Sequence, residues 1–283
     1  MSKIILYGGQ GNIKLQDLIK LSKTNMGKKI ISKLRDTNYE SFLYFKKMLK
    51  GEVPLSESHA SMLGTFIYNL WKTQDIDLSE ISYFSSHSAG IFNVLMASGS
   101  SSFDKILIFI EKRAELVGNL KRKEEMWFTV TTSIEKLRPI IKKLNDVEFA
   151  ITTNPTTCVL AFSEEKKDEL MEVIQTSGLE IRIKKLNLKV PYHTKFLNSL
   201  EEKYRQLVKE LDIQQNDEFN YIYSLDNLED EIINQLTNEF NWYGILEEII
   251  NKKLITYDLT SNGFIQKQIR GLYKQINDNK EKM

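Results

Sequence analysis

The chain has 283 residues, 41% of them hydrophobic, enough for one large domain or one domain carrying a smaller insertion. Its 39 basic and 38 acidic side chains leave a net charge of +1, so no long-range field argues for nucleic acid. No apolar run approaches the ~20 residues that cross a bilayer, and the single cysteine excludes an internal disulfide or a multi-cysteine metal site. A cytoplasmic protein with neither nucleic-acid nor membrane partner is expected.

Ile4 to Tyr7 predicts a first strand, because the apolar stretch before Gly8 is too short for a signal peptide. It runs into Gly8-Gly9-Gln10-Gly11, whose three glycines permit positive φ and close approach of backbone to a ligand. The loop has neither Gly-x-Gly-x-x-Gly nor a Gly-Lys-Ser/Thr ending, so dinucleotide and P-loop binding are unsupported. Leu15 to Leu49 is helical in character, and helical periodicity resumes from Ser61 to Trp71. Ile81 to Phe84 reads as a short strand, followed by Ser85-Ser86-His87-Ser88-Ala89-Gly90 and the apolar run Ile91 to Ala97. Strand, sharp turn and helix would lift the Ser88 hydroxyl to a helix start, where backbone N–H groups can stabilise an oxyanion. Ser86 stands where such an elbow usually wants no side chain. On these residues alone, an ordinary serine-rich turn and a nucleophile both stay open.

A further helix is predicted from Phe103 to about Leu120, with Arg113 inside it. By position, such an arginine is a surface or salt-bridging residue, although Glu111 and Glu115 do not stand at i,i+4 to it. The texture then changes. Trp127–Thr131, Glu148–Thr152, Thr157–Phe162 and Leu179–Leu188 read as strands, with helices at Ile134–Leu144 and Lys166–Gln175. The order β-α-β-β-α-β is that of a ferredoxin-like unit. It is read as a small subdomain over 124–190, inserted into a large α/β domain made of 1–123 and 191–283. Cys158, between Thr157 and Val159, is expected to be a buried strand thiol. A helix from Lys195 to Leu211 leads back to the large domain. Strands near Tyr221–Leu225 and Leu254–Leu259 bracket a helical pair between Glu229 and Ile250, and 280–283 is expected to be an unstructured tail.

Only three histidines are present. His59 falls in the polar turn Ser56-Glu57-Ser58-His59, and His87 belongs to the elbow. His193, in the break Tyr192-His193-Thr194 between strand and helix, suits either a residue projected into a cleft or an exposed or capping histidine.

Taken in order, these segments resemble the malonyl-CoA:acyl carrier protein transacylase family, including stand-alone acyltransferases of polyketide synthases. The family's Phe-Pro-Gly-Gln-Gly is matched by Tyr7-Gly8-Gly9-Gln10-Gly11, and its Gly-His-Ser-Leu-Gly-Glu by Ser86-His87-Ser88-Ala89-Gly90-Ile91. The arginine that receives the substrate carboxylate follows the nucleophile by 25 residues, as Arg113 follows Ser88. The histidine segment is matched by Pro191-Tyr192-His193, with weaker echoes at Asn154-Pro155 and Asn241-Trp242. The resemblance implies a large α/β-hydrolase-like domain with a parallel-sheet core. It also implies Ser88 as nucleophile, His193 as base, the backbone N–H groups of Gln10 and Ala89 as oxyanion donors, and Arg113 as carboxylate receptor. The backbone carbonyl of Asn241 would orient His193, so no triad aspartate is required.

The implied reaction moves a malonyl group from coenzyme A to the phosphopantetheine thiol of an acyl carrier protein through a seryl-acyl enzyme. No permanently bound cofactor and no metal is expected, and a monomer is. Tyr192 would crowd the α-carbon pocket and favour malonyl over substituted malonyl groups. Lys184, Lys185, Lys189 and Lys195 are candidates for steering an acidic carrier protein, or else a solvated lysine face. Departures at His59, Ser86, Ala89 and Ile91 mark a divergent member. Two rivals remain: a thioester hydrolase on the same scaffold, and a non-catalytic carrier-protein docking protein.

Overall fold

Strand β1 (Lys3–Tyr7) is buried on both sides, as the middle strand of a parallel sheet must be. In the computed structural model, which describes residues 1–120, 123–188 and 190–280, it pairs with β2 (Tyr83–Ser86) and β9 (Ile255–Asp258). A short β7 (Asn220–Tyr221) extends the sheet beyond β2, giving the order β7-β2-β1-β9 with every pair parallel. Alternation along β1 sorts the core. Ile4 and Leu6 face α11 (Trp242–Asn251) and α12 (Phe264–Lys280), while Ile5 and Tyr7 pack with Phe84 and with Val94 of α5 (Ile91–Ala97).

The continuous helical stretch read from Leu15 to Leu49 is three helices: α1 (Leu15–Lys23), α2 (Asn25–Thr37) and α3 (Tyr39–Leu49). The breaks come where short polar side chains cap the backbone. Thr24 accepts from Gly27 N–H and Asn38 from Ser41 N–H, each with its own residue extended. Helix α4 (Ser58–Thr73) begins three residues earlier than its periodicity suggests, which puts His59 in its first turn and not in a polar turn. With α5 and α6 (Phe103–Gly118), these helices enclose the main apolar core. Strand β2 starts two residues later than expected, so Ser85 and Ser86 lie in it, fully buried.

A second sheet holds β3 (Glu124–Thr131), β4 (Val147–Asn154), β5 (Thr157–Ser163) and β6 (Ile181–Lys185), in the order β6-β3-β5-β4 and all antiparallel. Helices α7 (Ile134–Ile141) and α8 (Lys167–Thr176) cover one face with an apolar cluster that includes Cys158. Burial pushes that thiol up to about 12, so it stays protonated at neutral pH. The expected helix from Lys195 is a 3-10 stretch (Lys195–Leu200) running into α9 (Glu201–Lys209). Between α10 (Leu228–Thr237) and α11, the residues Phe240–Asn241 form β8, which joins the edge of the second sheet parallel to β4. Sequence reading had placed only helices there. Lys280 closes α12, contrary to the expected tail, and 281–283 lie outside the described residues. No helix among the described residues is long and apolar enough to cross a membrane.

Candidate active site

Strands β1 and β2 run the same way, so the loops that leave them, Gly8–Gly11 and His87–Gly90, lie side by side at one end of the sheet. They touch backbone to backbone. His87 N–H donates to the Tyr7 carbonyl at 2.9 Å. A Cβ on Gly9 would stand 2.4 Å from the His87 carbonyl oxygen, and one on Gly90 would stand 2.8 Å from that of Gly8. Glycine is therefore required at both positions by close approach. Ser88, at the apex, has φ of +47°, a left-handed conformation strained for a serine and usual for an elbow nucleophile. Among the described residues, the backbone N–H groups of Gln10 and Ala89 donate to no protein acceptor.

Ser88 Oγ lies 2.7 Å from His193 Nε2. His193 is itself at φ +66°, and its N–H donates to the Leu236 carbonyl at 3.0 Å. Its ring stacks on Phe240, with centroids 5.3 Å apart. Burial holds its pKa down to about 3, aided by the neighbouring His87 and the Arg113 charge, while the Gln235 carbonyl opposes the shift. The imidazole is therefore neutral at pH 7. With the serine as donor to Nε2, the ring proton belongs on Nδ1, which is buried and makes no hydrogen bond of full geometry. His87 lies edge-on to Phe240 and Trp242, and burial lowers its pKa to about 4.

Arg113 is only 6% exposed, yet no carboxylate pairs with it among the described residues. One terminal nitrogen donates to Met62 Sδ at 2.8 Å, the guanidinium carbon stands 4.2 Å from the Tyr192 ring centroid, and Nε has no partner. An unpaired charge at such depth is costly unless an anion arrives to meet it. Glu111, one of its sequence neighbours, is engaged by Asn38 and Ser41. Tyr192 in turn bonds Ser58 Oγ through its hydroxyl at 2.7 Å. These two residues, with Gln10, Ser61 and Val190, line a cavity of about 170 Å³. Wider clefts of about 610 and 660 Å³ flank Arg138, and neither is lined by Ser88 or His193.

No protein-family model matches the sequence. Two curated relatives do, at low identity. The polyketide biosynthesis protein PksE of Bacillus subtilis (strain 168) is 21% identical over 168 residues, 56% of this chain and 22% of that protein. The probable polyketide synthase 13 of Dictyostelium discoideum is 22% identical over 260 residues, 92% of this chain and 9% of that one. The chain thus spans less than a quarter of either relative. Solved structures superpose far more completely. A malonyl-transacylase in complex with its type II polyketide acyl carrier protein gives a TM-score of 0.83 at 15% identity, over 95% of this chain and 92% of that one. The malonyl CoA-acyl carrier protein transacylase of Coxiella burnetii gives 0.82 at 15% identity, over 95% and 90%. The acyltransferase domain of the second salinomycin polyketide synthase module gives 0.78 at 12% identity, over 95% and 65%.

The chain has the malonyl transacylase fold.

Within that fold Ser88 meets His193, the Arg113 charge acts on the same ring, and the side chain of Asn241 is engaged elsewhere. Asn241 is exposed in β8, and its side chain caps α11 by accepting from Gly244 N–H at 3.1 Å. The carbonyl beside the His193 ring is that of Gln235, in the last turn of α10. The lysine cluster is partly neutralised. Lys185 pairs with Glu125 and Lys195 lies 3.6 Å from Glu148, whereas Lys189 is outside the described residues. His59 stacks on Tyr44 with centroids 4.2 Å apart. Sequence reasoning missed Phe240, Gln235 and Ser58, which reach the site only through tertiary contacts. It did flag Ser86, whose hydroxyl lies 2.7 Å from that of Tyr223. The extra side chain in the elbow is thus held by a half-buried partner.

Proposed function

We propose that the protein transfers a malonyl group from coenzyme A to the phosphopantetheine thiol of an acyl carrier protein through a Ser88 ester. The observation that carries this reading is a serine–histidine pair at 2.7 Å, with a buried arginine that has no carboxylate partner and whose charge acts on the same histidine. Ser88 Oγ attacks the thioester carbonyl while His193 Nε2 takes the hydroxyl proton. The N–H groups of Gln10 and Ala89 hold the resulting oxyanion, each worth ~3 kcal/mol in the transition state. Collapse expels the coenzyme A thiolate, which receives the proton from His193. In the second half, His193 takes the proton of the carrier thiol as that sulfur attacks the ester, and returns it to Ser88.

Arg113 selects the substrate by pairing its guanidinium with the malonyl carboxylate. Its charge also lowers the basicity of His193. A bound carboxylate offsets that charge, so malonyl makes the base stronger at the moment it is needed. We read 124–190 as an inserted ferredoxin-like subdomain, since the order β6-β3-β5-β4 is the one that unit adopts, and 1–123 with 191–283 as the large domain. The enzyme would act as a cytoplasmic monomer. Incubation with malonyl-CoA and holo carrier protein tests the transfer. Malonylated carrier forming faster than free malonate supports it, whereas malonate released faster makes the protein a hydrolase.

A further inference from the structure

The segment 235–242 forms the floor beneath His193. Leu236 accepts the His193 N–H, the Gln235 carbonyl lies beside the ring, and Phe240 stacks under it. Phe240 and Trp242 pack against Ile4 and Leu6 of the large sheet, while strand β8 hydrogen-bonds to β4 of the second sheet, so the segment bridges the two sheets. Between these contacts stands Glu239. Both of its carboxylate oxygens are taken by Arg138 of α7, Oε2 from Nη1 at 2.7 Å and Oε1 from Nη2 at 2.8 Å. Thr152 of β4 donates a third bond to Oε1 at 2.6 Å. The guanidinium is fixed from its other face by the Phe149 ring, 4.3 Å from its carbon. A two-point fork of this kind fixes direction as well as distance, which a single-point lysine contact would not.

We propose that Arg138, Glu239 and Thr152 form a clasp that sets the position of Phe240, and through it of His193, relative to the second sheet. They are positioning residues, since none touches Ser88. The clasp has a mechanical logic. Phe240 follows Glu239 directly and pairs with Ile151, next to Thr152, so any slip between α7 or β4 and the 235–242 segment moves the stacked ring. Serine activation depends on the serine–imidazole distance and angle, and an error of about 1 Å costs about a hundredfold. Release of the clasp would also admit water to the ring. His193 is faced by His87 from the elbow, Arg113 from α6 and the Gln235 carbonyl from α10, none of which belongs to the clasp. Glu239→Gln and Arg138→Met alter local charge in opposite directions, so a shift of His193 in the same direction in both reports burial and position.

The inference rests on the reading of His193 as the base, and the test separates the two. Three histidines give three resolvable ring-nitrogen titrations by NMR, and a fluorophosphonate probe reports Ser88 activation without any acyl substrate. In Glu239→Gln and Arg138→Met, the His193 titration is expected to move up toward its ordinary value and labelling to slow about ten- to a hundredfold. The milder Thr152→Val should shift both in the same direction by less, and the reversed pair Arg138→Glu with Glu239→Arg should restore them. Folded variants with wild-type His193 titration and wild-type labelling overturn the clasp. Rapid labelling of the wild type at Ser88 without malonyl transfer overturns the functional reading alone and leaves the clasp standing.

Discussion

The guanidinium of Arg113 lies 4.2 Å from the centroid of the Tyr192 ring, and Tyr192 immediately precedes His193. The buried guanidinium and the imidazole are thereby joined by one residue. The ring supplies a favourable face for a cation that has no carboxylate partner, without neutralising it. The Tyr192 hydroxyl is bonded to Ser58, and both residues line the cavity beside Gln10.

Replacing Arg113 with alanine is expected to reduce kcat/KM for malonyl transfer far more than for acetyl transfer. Truncating one side of a buried charge pair costs ~2–5 kcal/mol, about thirtyfold to several thousandfold at 1.4 kcal/mol per decade. Acetyl has no carboxylate to strand, and loss of the Arg113 charge raises the basicity of His193, so its rate should hold or rise. Equal losses for both thioesters would make Arg113 a structural residue of α6.

The two buried imidazoles predict a particular pH dependence of stability. Folded His193 titrates at about 3 and folded His87 at about 4, both below the unfolded value near 6.5. Their depressed values mean that the unfolded chain binds more protons between those limits. The corresponding stability is fully present above about pH 6.5 and is lost as pH falls toward 4 and then 3. Urea midpoints measured from pH 8 to pH 4 should fall below about 6.5, and His87→Gln should flatten the fall. A midpoint unchanged over that range would contradict the burial of both rings.

The serine that replaces a glycine in the elbow makes its own prediction. Ser86→Ala leaves the Tyr223 hydroxyl buried without its 2.7 Å partner and should cost ~1–3 kcal/mol of stability. Removing both groups, as Ser86→Ala with Tyr223→Phe, should cost less than the sum of the single changes. Chemical denaturation of the four proteins measures the coupling. Strict additivity would mean that the hydroxyl pair contributes nothing.

Much of this arrangement was legible in the sequence, because the signals lie in local runs. The strand into Gly8-Gly9-Gln10-Gly11, the serine at the Ser86–Gly90 turn and the β-α-β-β-α-β order all rest on neighbouring residues. Element boundaries were less so. The caps at Thr24 and Asn38 divide a stretch whose apolar periodicity runs straight through them, and Ser85 and Ser86 extend a strand that composition alone would end at Phe84. Strand β8 could not be read at all, since two residues acquire strand geometry only by pairing with β4, whose residues stand almost 90 positions earlier. For the same reason the Gln235 carbonyl beside the His193 ring has no local signal. Which backbone faces a ring across a cleft is a tertiary fact with no local pattern.

The central claim is that Ser88, activated by His193, carries the malonyl group. Intact-mass analysis after brief incubation with malonyl-CoA tests it most directly, comparing the wild type with Ser88→Ala and His193→Ala. The wild type is expected to gain one malonyl adduct, Ser88→Ala none, and His193→Ala an adduct formed at least about a hundredfold more slowly. No other hydroxyl at the elbow can substitute, since Ser86 is fully buried and engaged by Tyr223. An undiminished malonyl adduct on Ser88→Ala would contradict the account.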